Sequence, residues 1–252
     1  QNKVEEVNRE AAPLEGGQNY GWRCYEGSQE YNTDGCVGKS AYQFPVFDYE
    51  HASGSCGSVT GGYVYRGARY SALFGQYLAA DYCTGALYAI ENSAQGYTST
   101  QIGDFADFEY TTFGQNQYGE LFLAAAREGV IYRITETSDC SPVALIKGPK
   151  DRQGFNRAKE KILSTFYHPS LTYQWSRDGE PIANADTHQL TVRDTGRYTV
   201  EVTNSENNCS NTDQVQLVQS ITNVADQDPE GEKLQVYPNP AGKALTIKNL
   251  PK

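Results

Sequence analysis

Two short hairpins of the same layout, about 45 residues apart, constrain this chain more than any other feature. In the first, Tyr77-Leu78-Ala79-Ala80-Asp81-Tyr82 and Ala86-Leu87-Tyr88-Ala89-Ile90 flank Cys83-Thr84-Gly85, a tight connection with glycine near its end. In the second, Glu120-Leu121-Phe122-Leu123-Ala124-Ala125 and Val130-Ile131-Tyr132-Arg133-Ile134 are joined through Glu128-Gly129. A further strand, Gly61-Gly62-Tyr63-Val64-Tyr65-Arg66-Gly67, lies between turns upstream. Hairpins repeated at this interval match the blade period of a β-propeller, a ring that needs at least four blades to close. Residues 1–137 have room for two or three. A small sandwich built from the same strands remains the alternative.

The rest of the composition agrees with an all-β chain. Tyr (19) and Gly (24) are frequent among the 252 residues, Met is absent, and β-branched and aromatic residues come in short alternating runs. No apolar run is long enough for a membrane-spanning helix, so a transmembrane segment is not expected. A net charge of −10 makes nucleic acid an unsuitable partner, since phosphates would be repelled. The six cysteines lack both Cys-x-x-Cys spacing and a His-rich cluster, which argues against a zinc site and for disulfides in an oxidising compartment. Cys24 with Cys36, Cys56 with Cys83 and Cys140 with Cys209 form one of fifteen pairings that six cysteines permit. Closing the short Cys24 to Cys36 loop would stabilise by about 3 kcal/mol. The chain opens on a polar run without a signal peptide, so an exported protein would have its true start further upstream.

Residues 138–219 change character. Leu171-Thr172-Tyr173-Gln174-Trp175 alternates, Asp178-Gly179 signals a hairpin turn, and Asp194-Thr195-Gly196-Arg197-Tyr198 follows. An early-strand Trp with a later Asp-x-Gly-x-Tyr is the pattern of an immunoglobulin-like β-sandwich, which makes Trp175 a core residue and Tyr198 a corner residue. His168 and His188 are expected on this module's surface. The basic stretch 147–161 has no clear pattern. Residues 220–233 read as an acidic linker. In residues 234–252 two strand-like pieces surround Pro238-Asn239-Pro240, and their apolar faces need partners that the chain does not supply.

Three resemblances attach to these segments. Gly17-Gln18-Asn19-Tyr20-Gly21-Trp22-Arg23, Cys24-Tyr25-Glu26-Gly27, Ser58-Val59-Thr60-Gly61-Gly62-Tyr63-Val64-Tyr65-Arg66-Gly67, Ala80-Asp81-Tyr82-Cys83-Thr84-Gly85 and Thr112-Phe113-Gly114-Gln115-Asn116-Gln117-Tyr118-Gly119-Glu120-Leu121 resemble the glucose/sorbosone dehydrogenase family. That family includes soluble quinoprotein sugar dehydrogenases and hedgehog-interacting-protein-like propellers. The likeness implies the C-terminal blades of a six-bladed β-propeller. Residues 138–219 are similar to immunoglobulin-like modules between a secreted catalytic domain and its tail. Val236-Tyr237-Pro238-Asn239-Pro240-Ala241 with Leu245-Thr246-Ile247 resembles the opening of a type IX secretion sorting domain, which implies a secreted or cell-surface protein handled by that machinery.

The first resemblance implies pyrroloquinoline quinone (PQQ) and calcium as cofactors of a parent that oxidises a sugar, with a His as general base. The base and the calcium ligands fall upstream of this chain in the family pattern, so catalytic residues are not expected here. Two quinone-gripping features would fall within it. Family enzymes carry a Lys where this chain has Tyr82-Cys83-Thr84, and an Arg-x-Arg where it reads Glu109-Tyr110-Thr111. Losing those cations removes charge-assisted contacts to a tricarboxylate worth about 1.5–3 kcal/mol each.

Three residues remain as candidates to line a substrate or cofactor: His51, Ser58 and Arg66. His51 lies in the loop before the Gly61-Gly62 strand, either near the propeller mouth, where an imidazole could bond substrate or move a proton, or packed on Tyr49 or Tyr65. Arg66 either contacts ligand or anchors the blade on a neighbouring carboxylate. Asp48 with Glu50 and Asp104 with Asp107 are carboxylates close in sequence, a spacing that does not fix the separation a glycosidase needs. The expected function is that of part of a secreted, PQQ-dependent aldose or sorbosone dehydrogenase, inactive alone. The alternative is a non-enzymatic propeller that binds glycan or protein partners.

Overall fold

A computed structural model describes residues 3–13, 16–51, 55–105, 109–136, 140–148, 160–218, 236–238 and 245–247. Its sheets are all antiparallel, and the described residues contain no α-helix. At the start, β1 (Val4–Val7), β2 (Tyr25–Glu26), β3 (Gln29–Glu30) and β4 (Phe47–Glu50) form two small pairs, β1 with β4 and β2 with β3.

The next four strands, β5 (Val59–Val64), β6 (Tyr77–Asp81), β7 (Ala86–Ser93) and β8 (Gly96–Asp104), make one four-stranded meander in chain order. A second meander has three strands, β9 (Tyr110–Gln115), β10 (Leu121–Ala125) and β11 (Val130–Arg133). The two repeated hairpins of the sequence are β6–β7 and β10–β11. The meanders meet along β5 and β9, where Thr60 Oγ1 donates to the Tyr110 carbonyl at 2.8 Å. Leu78, Ala80, Leu87 and Ala89 share one core with Tyr110, Phe113, Leu121 and Leu123. Each fully buried large apolar side chain contributes about 1.5–3 kcal/mol. Gly62 makes the close approach feasible: a Cβ there would lie 2.3 Å from the Leu78 carbonyl and 2.9 Å from the Phe113 ring. The described strands do not close into a ring, and two packed meanders are consistent with either a propeller or a sandwich.

A second core lies between a two-stranded sheet, β12 (Lys161–Ser164) with β15 (Gln189–Val192), and a four-stranded one. The latter runs β14-β13-β16-β17, from β13 (Leu171–Arg177), β14 (Glu180–Pro181), β16 (Gly196–Asn204) and β17 (Cys209–Leu217). Trp175 is completely buried there and its indole N–H donates to the Thr187 carbonyl at 2.9 Å. The Tyr198 hydroxyl donates to the Asp194 carbonyl at 3.0 Å, closing the corner that the sequence pattern implies. Asp178 and Gly179 both take positive φ (53° and 93°) in the β13–β14 turn. His168 departs from its expected surface position. It is buried: its Nδ1 accepts from the Ser170 amide (3.1 Å) and Tyr118, in the turn between β9 and β10, packs edge-on against its ring.

The two cores are stitched together. Backbone bonds join Ser71 to Ser141 and Val143 to Ala68, each 2.9 Å, and Ala68 is buried in the second core. Arg69 bonds Glu206, and Asn211 Nδ2 donates to the Pro142 carbonyl at 3.0 Å. The disulfides are Cys24–Cys36, Cys56–Cys83 and Cys140–Cys209, and they agree with an oxidising environment. No described helix is long and apolar enough to cross a membrane. Near the C-terminus β18 (Val236–Pro238) pairs with β19 (Leu245–Ile247). Most of the stretch 147–161, the linker 220–233 and the rest of 234–252 lie outside the described residues, as does Asp107.

Candidate functional site

The ends of the first two meanders where β5 and β9 begin gather most of the sequence candidates. Asp81, at the end of β6, organises this end. It is buried, and Oδ2 accepts from the Ser58 amide (2.9 Å) and the Tyr49 hydroxyl. Its Oδ1 accepts from the Cys83 amide (2.8 Å), the Thr84 amide (2.6 Å) and the Thr84 hydroxyl (3.0 Å). Burial alone would raise its pKa, but the hydrogen bonds from Tyr49, Thr84 and Ser58 prevail and hold the carboxyl below its ordinary value. The same contact and burial push the Tyr49 phenol up. In the sequence Asp81 stands only as one member of the Ala80–Gly85 motif. The Asp-x-x-Thr-Gly spacing, a side-chain-capped turn, is the local signal that points to its role.

His51 forms a pair with Glu5: Nε2 lies 3.0 Å from Glu5 Oε1, while Oε2 accepts from the Val59 amide at 2.9 Å. The imidazole is only 11 % exposed and lies over Gly57, where a Cβ would fall 2.2 Å from the ring. Among the described residues its ring makes no aromatic contact with Tyr49 or Tyr65. Glu5 lies 46 positions away in sequence, and nothing local in the chain predicts the pairing. Ser58 is exposed beside this pair.

Arg66 is not part of this end. It lies eight positions beyond Ser58, past the end of β5, where its backbone lies against Gly119 ahead of β10. Its guanidinium sits over the Phe74 ring at 5.8 Å, with no carboxylate partner among the described residues. The ion pair with a carboxylate is made instead by Arg69, which binds Glu206 of the second core and so joins the cores. Asp48 accepts from the Ser28 amide (2.7 Å) and hydroxyl, and Glu50 from Gln29, so these two carboxylates fasten the β2–β3 hairpin.

The outward-facing chemistry comes from Tyr82 and Glu109. The Tyr82 hydroxyl donates to Glu109 Oε2 at 3.2 Å, and the Glu109 carboxylate pushes the phenol above its ordinary pKa. Glu109 itself has φ of 48°, a left-handed conformation that costs a non-glycine residue roughly 1 kcal/mol or more. The Ala126 amide fixes that conformation by donating to the Glu109 carbonyl at 3.0 Å.

These are the positions at which the family resemblance implies cations for a quinone. A tricarboxylate placed here would meet a carboxylate and a phenol, so the residues present do not fit pyrroloquinoline quinone. Among the described residues no group of three or more His, Cys, Asp or Glu could hold a metal ion. The site can accept hydrogen bonds from hydroxyls and ammonium groups at the Glu109 carboxylate and at the Tyr82 and Thr84 oxygens, whose own protons go to Glu109 and Asp81, and donate through the exposed Ser58 hydroxyl. A groove of about 440 Å³ lies elsewhere, on the sandwich. Its charged side chains pair with one another, Arg177 with Asp194 at 3.2 Å and Arg193 with Glu160.

No family model and no solved structure matches the chain. Among curated proteins it is similar to one from Arabidopsis thaliana named HIPL1, with 37 % identity over 89 residues. The match covers 31 % of this chain, which spans 13 % of that relative's length, and links the two only in part.

Proposed function

We propose that this chain belongs to an exported β-propeller protein that binds a neutral saccharide at the mouth formed by the starts of β5 and β9. The observation that carries the reading is the Tyr82–Glu109 pair. Hydroxyl-rich, uncharged ligands can donate to a half-buried carboxylate beside neutral hydroxyls, whereas a tricarboxylate would be repelled by it. Three disulfides support export, and the β18–β19 hairpin carries the sequence that resembles a type IX sorting tail. In this reading the secretion machinery recognises the tail, and the propeller presents its mouth outside the cell.

A second reading, a sugar dehydrogenase whose base lies in other parts of a longer protein, draws on the motif resemblance through residues 17–121. One experiment separates them. The full chain, and a longer parent if one exists, is titrated with aldoses and neutral oligosaccharides by calorimetry. Dye reduction is measured in parallel, with and without pyrroloquinoline quinone and Ca²⁺. Saccharide binding that E109Q weakens, without quinone-dependent reduction, supports the binding module. Quinone-dependent reduction overturns it.

A further inference from the structure

The disulfide loop ahead of β4 holds an aromatic feature that the mouth does not use. Trp22 is 63 % exposed and Tyr31 50 % exposed, and their rings stack with centroids 5.4 Å apart and planes 24° apart. Single exposed aromatics are ordinary. A stacked pair is different, because each ring holds the other in place while its outer face stays open to solvent.

The loop beneath is rigid. Cys24–Cys36 closes it, and the Tyr31 amide donates to the Cys24 carbonyl at 2.9 Å. Arg23 spans it, with Nη1 on the Asn32 carbonyl (3.0 Å) and Nη2 on the Asp34 carbonyl (3.3 Å). Tyr25 anchors the hairpin inward, packed against Tyr42 and Phe44. Much of the conformational entropy that ordering two aromatic side chains would cost a binding event is therefore already lost in the free protein.

The geometry points to a second saccharide site: we infer that the Trp22–Tyr31 pair is a platform for the face of a neutral sugar ring. A pyranose presents aliphatic C–H groups on its faces and hydroxyls around its edge. It needs a flat apolar surface with polar groups beside it, and the chain on either side of Tyr31 supplies exposed Gln29, Asn32, Thr33 and Asp34. A protein partner would need roughly 800 Å² on this side, more than one small loop offers. Asp34, Glu30 and a net charge of −10 disfavour an acidic glycan. This inference rests on residues separate from Tyr82 and Glu109, so either site can fail alone.

The chain offers a direct reporter, because its only other tryptophan, Trp175, is 0 % exposed in the second core. Acrylamide quenching of tryptophan fluorescence therefore reads Trp22. Cello-, malto-, xylo- and manno-oligosaccharides are titrated into the full chain, with oligogalacturonate as the acidic control. At least one neutral series is expected to protect Trp22 saturably. Y31A should weaken that protection roughly ten- to thirtyfold, the scale of one truncated interface aromatic, whereas Y31F and E109Q should retain it. Unchanged circular dichroism of Y31A verifies folding. The inference is overturned if no neutral series protects Trp22, if only oligogalacturonate does, or if protection arises from raising the protein concentration alone, the sign of a second copy.

Discussion

Tyr82 and Glu109 meet across 3.2 Å between the end of β6 and the start of β9, and each imposes a cost on the other's surroundings. The carboxylate opposes ionisation of the phenol, since a phenolate there would face a like charge. E109Q should therefore move Tyr82 ionisation down toward its ordinary value, read as a difference in phenolate absorbance between variant and wild type during alkaline titration. E109G tests the backbone separately. Glycine adopts φ of 48° without strain, so this variant should be more stable by roughly 0.5–1 kcal/mol in urea unfolding. A gain in stability with a loss of saccharide binding would mark Glu109 as a residue kept for function.

Charge at the same place decides the ligand class. Glu109 and Thr111 stand where the family resemblance implies two arginines, and Tyr82 near where it implies a lysine. Thr111 is exposed, so an arginine there needs no repacking. Y82K/E109R/T111R should bind pyrroloquinoline quinone more tightly than the native chain, measured by equilibrium dialysis. Equal binding by both would show that other groups of the native chain hold the quinone.

Arg69 and Glu206 join the two cores with unequal burial: the Arg69 side chain is 4 % exposed and Glu206 is 47 % exposed. The Arg69 Nε is also buried without a hydrogen-bond partner. Removing the exposed partner should therefore be worse than removing the buried one. E206A strands a buried guanidinium and should cost on the order of 3 kcal/mol. R69M leaves a carboxylate that water can reach, and should cost less. Urea unfolding of both variants checks the order. The reverse order would mean that Arg69 acts mainly through packing of its stem.

Neither residue's role could be read from the sequence, because 137 positions separate them. The same is true of Glu5 with His51, and of Tyr118 packing on His168. What was legible was local. Alternation and glycine-marked turns located β6–β7 and β10–β11, and the Trp175 and Tyr198 spacing anticipated the second core. Gly61-Gly62 marked the strand that had to lie close to its neighbours. Contacts between meanders and between cores depend on which strands meet, and strand periodicity within one segment does not encode that. Arg66 illustrates the limit. Its motif reads as a strand between turns, but β5 ends at Val64 and leaves Arg66 in the segment beyond, and the residue three positions on makes the ion pair.

Glu120 and Tyr65 tie the start of β10 to the end of β5, with the Tyr65 hydroxyl donating to Glu120 Oε2 at 2.8 Å. Burial raises the Glu120 pKa from 4.5, against the opposing hydrogen bond from Tyr65 and the charge of Arg69. A carboxyl with a raised folded-state pKa binds its proton more tightly folded than unfolded. Its contribution to stability is therefore full below about pH 4.5 and is lost as pH rises through the folded value. E120Q, always neutral, should flatten that part of the stability profile and preserve the acceptor for Tyr65. E120A should cost about 1–3 kcal/mol by leaving a buried hydroxyl unpaired. Chemical unfolding of the three proteins across mildly acidic pH measures both effects, with parallel profiles for E120Q and wild type counting against the assignment.

The disulfides should differ in worth according to the chain they close. Cys24–Cys36 spans 12 positions and Cys140–Cys209 spans 69. In the chain-entropy view the longer loop restricts the unfolded chain more, about 4 kcal/mol against about 3 kcal/mol. The comparison has a structural side as well. Cys140–Cys209 reinforces the segment that already carries the Ser71–Ser141 and Val143–Ala68 backbone bonds, so its loss loosens the joint between the cores. Cys24–Cys36 only holds the loop under Trp22 and Tyr31. Urea unfolding of C140S/C209S should therefore show the greater loss of stability, with C24S/C36S smaller. The saccharide experiment should rank them oppositely, with Trp22 protection lost in C24S/C36S and retained in C140S/C209S below its unfolding midpoint. If both readouts rank the variants alike, the Cys24–Cys36 loop is ordered by Arg23 and Tyr25 without help from its disulfide.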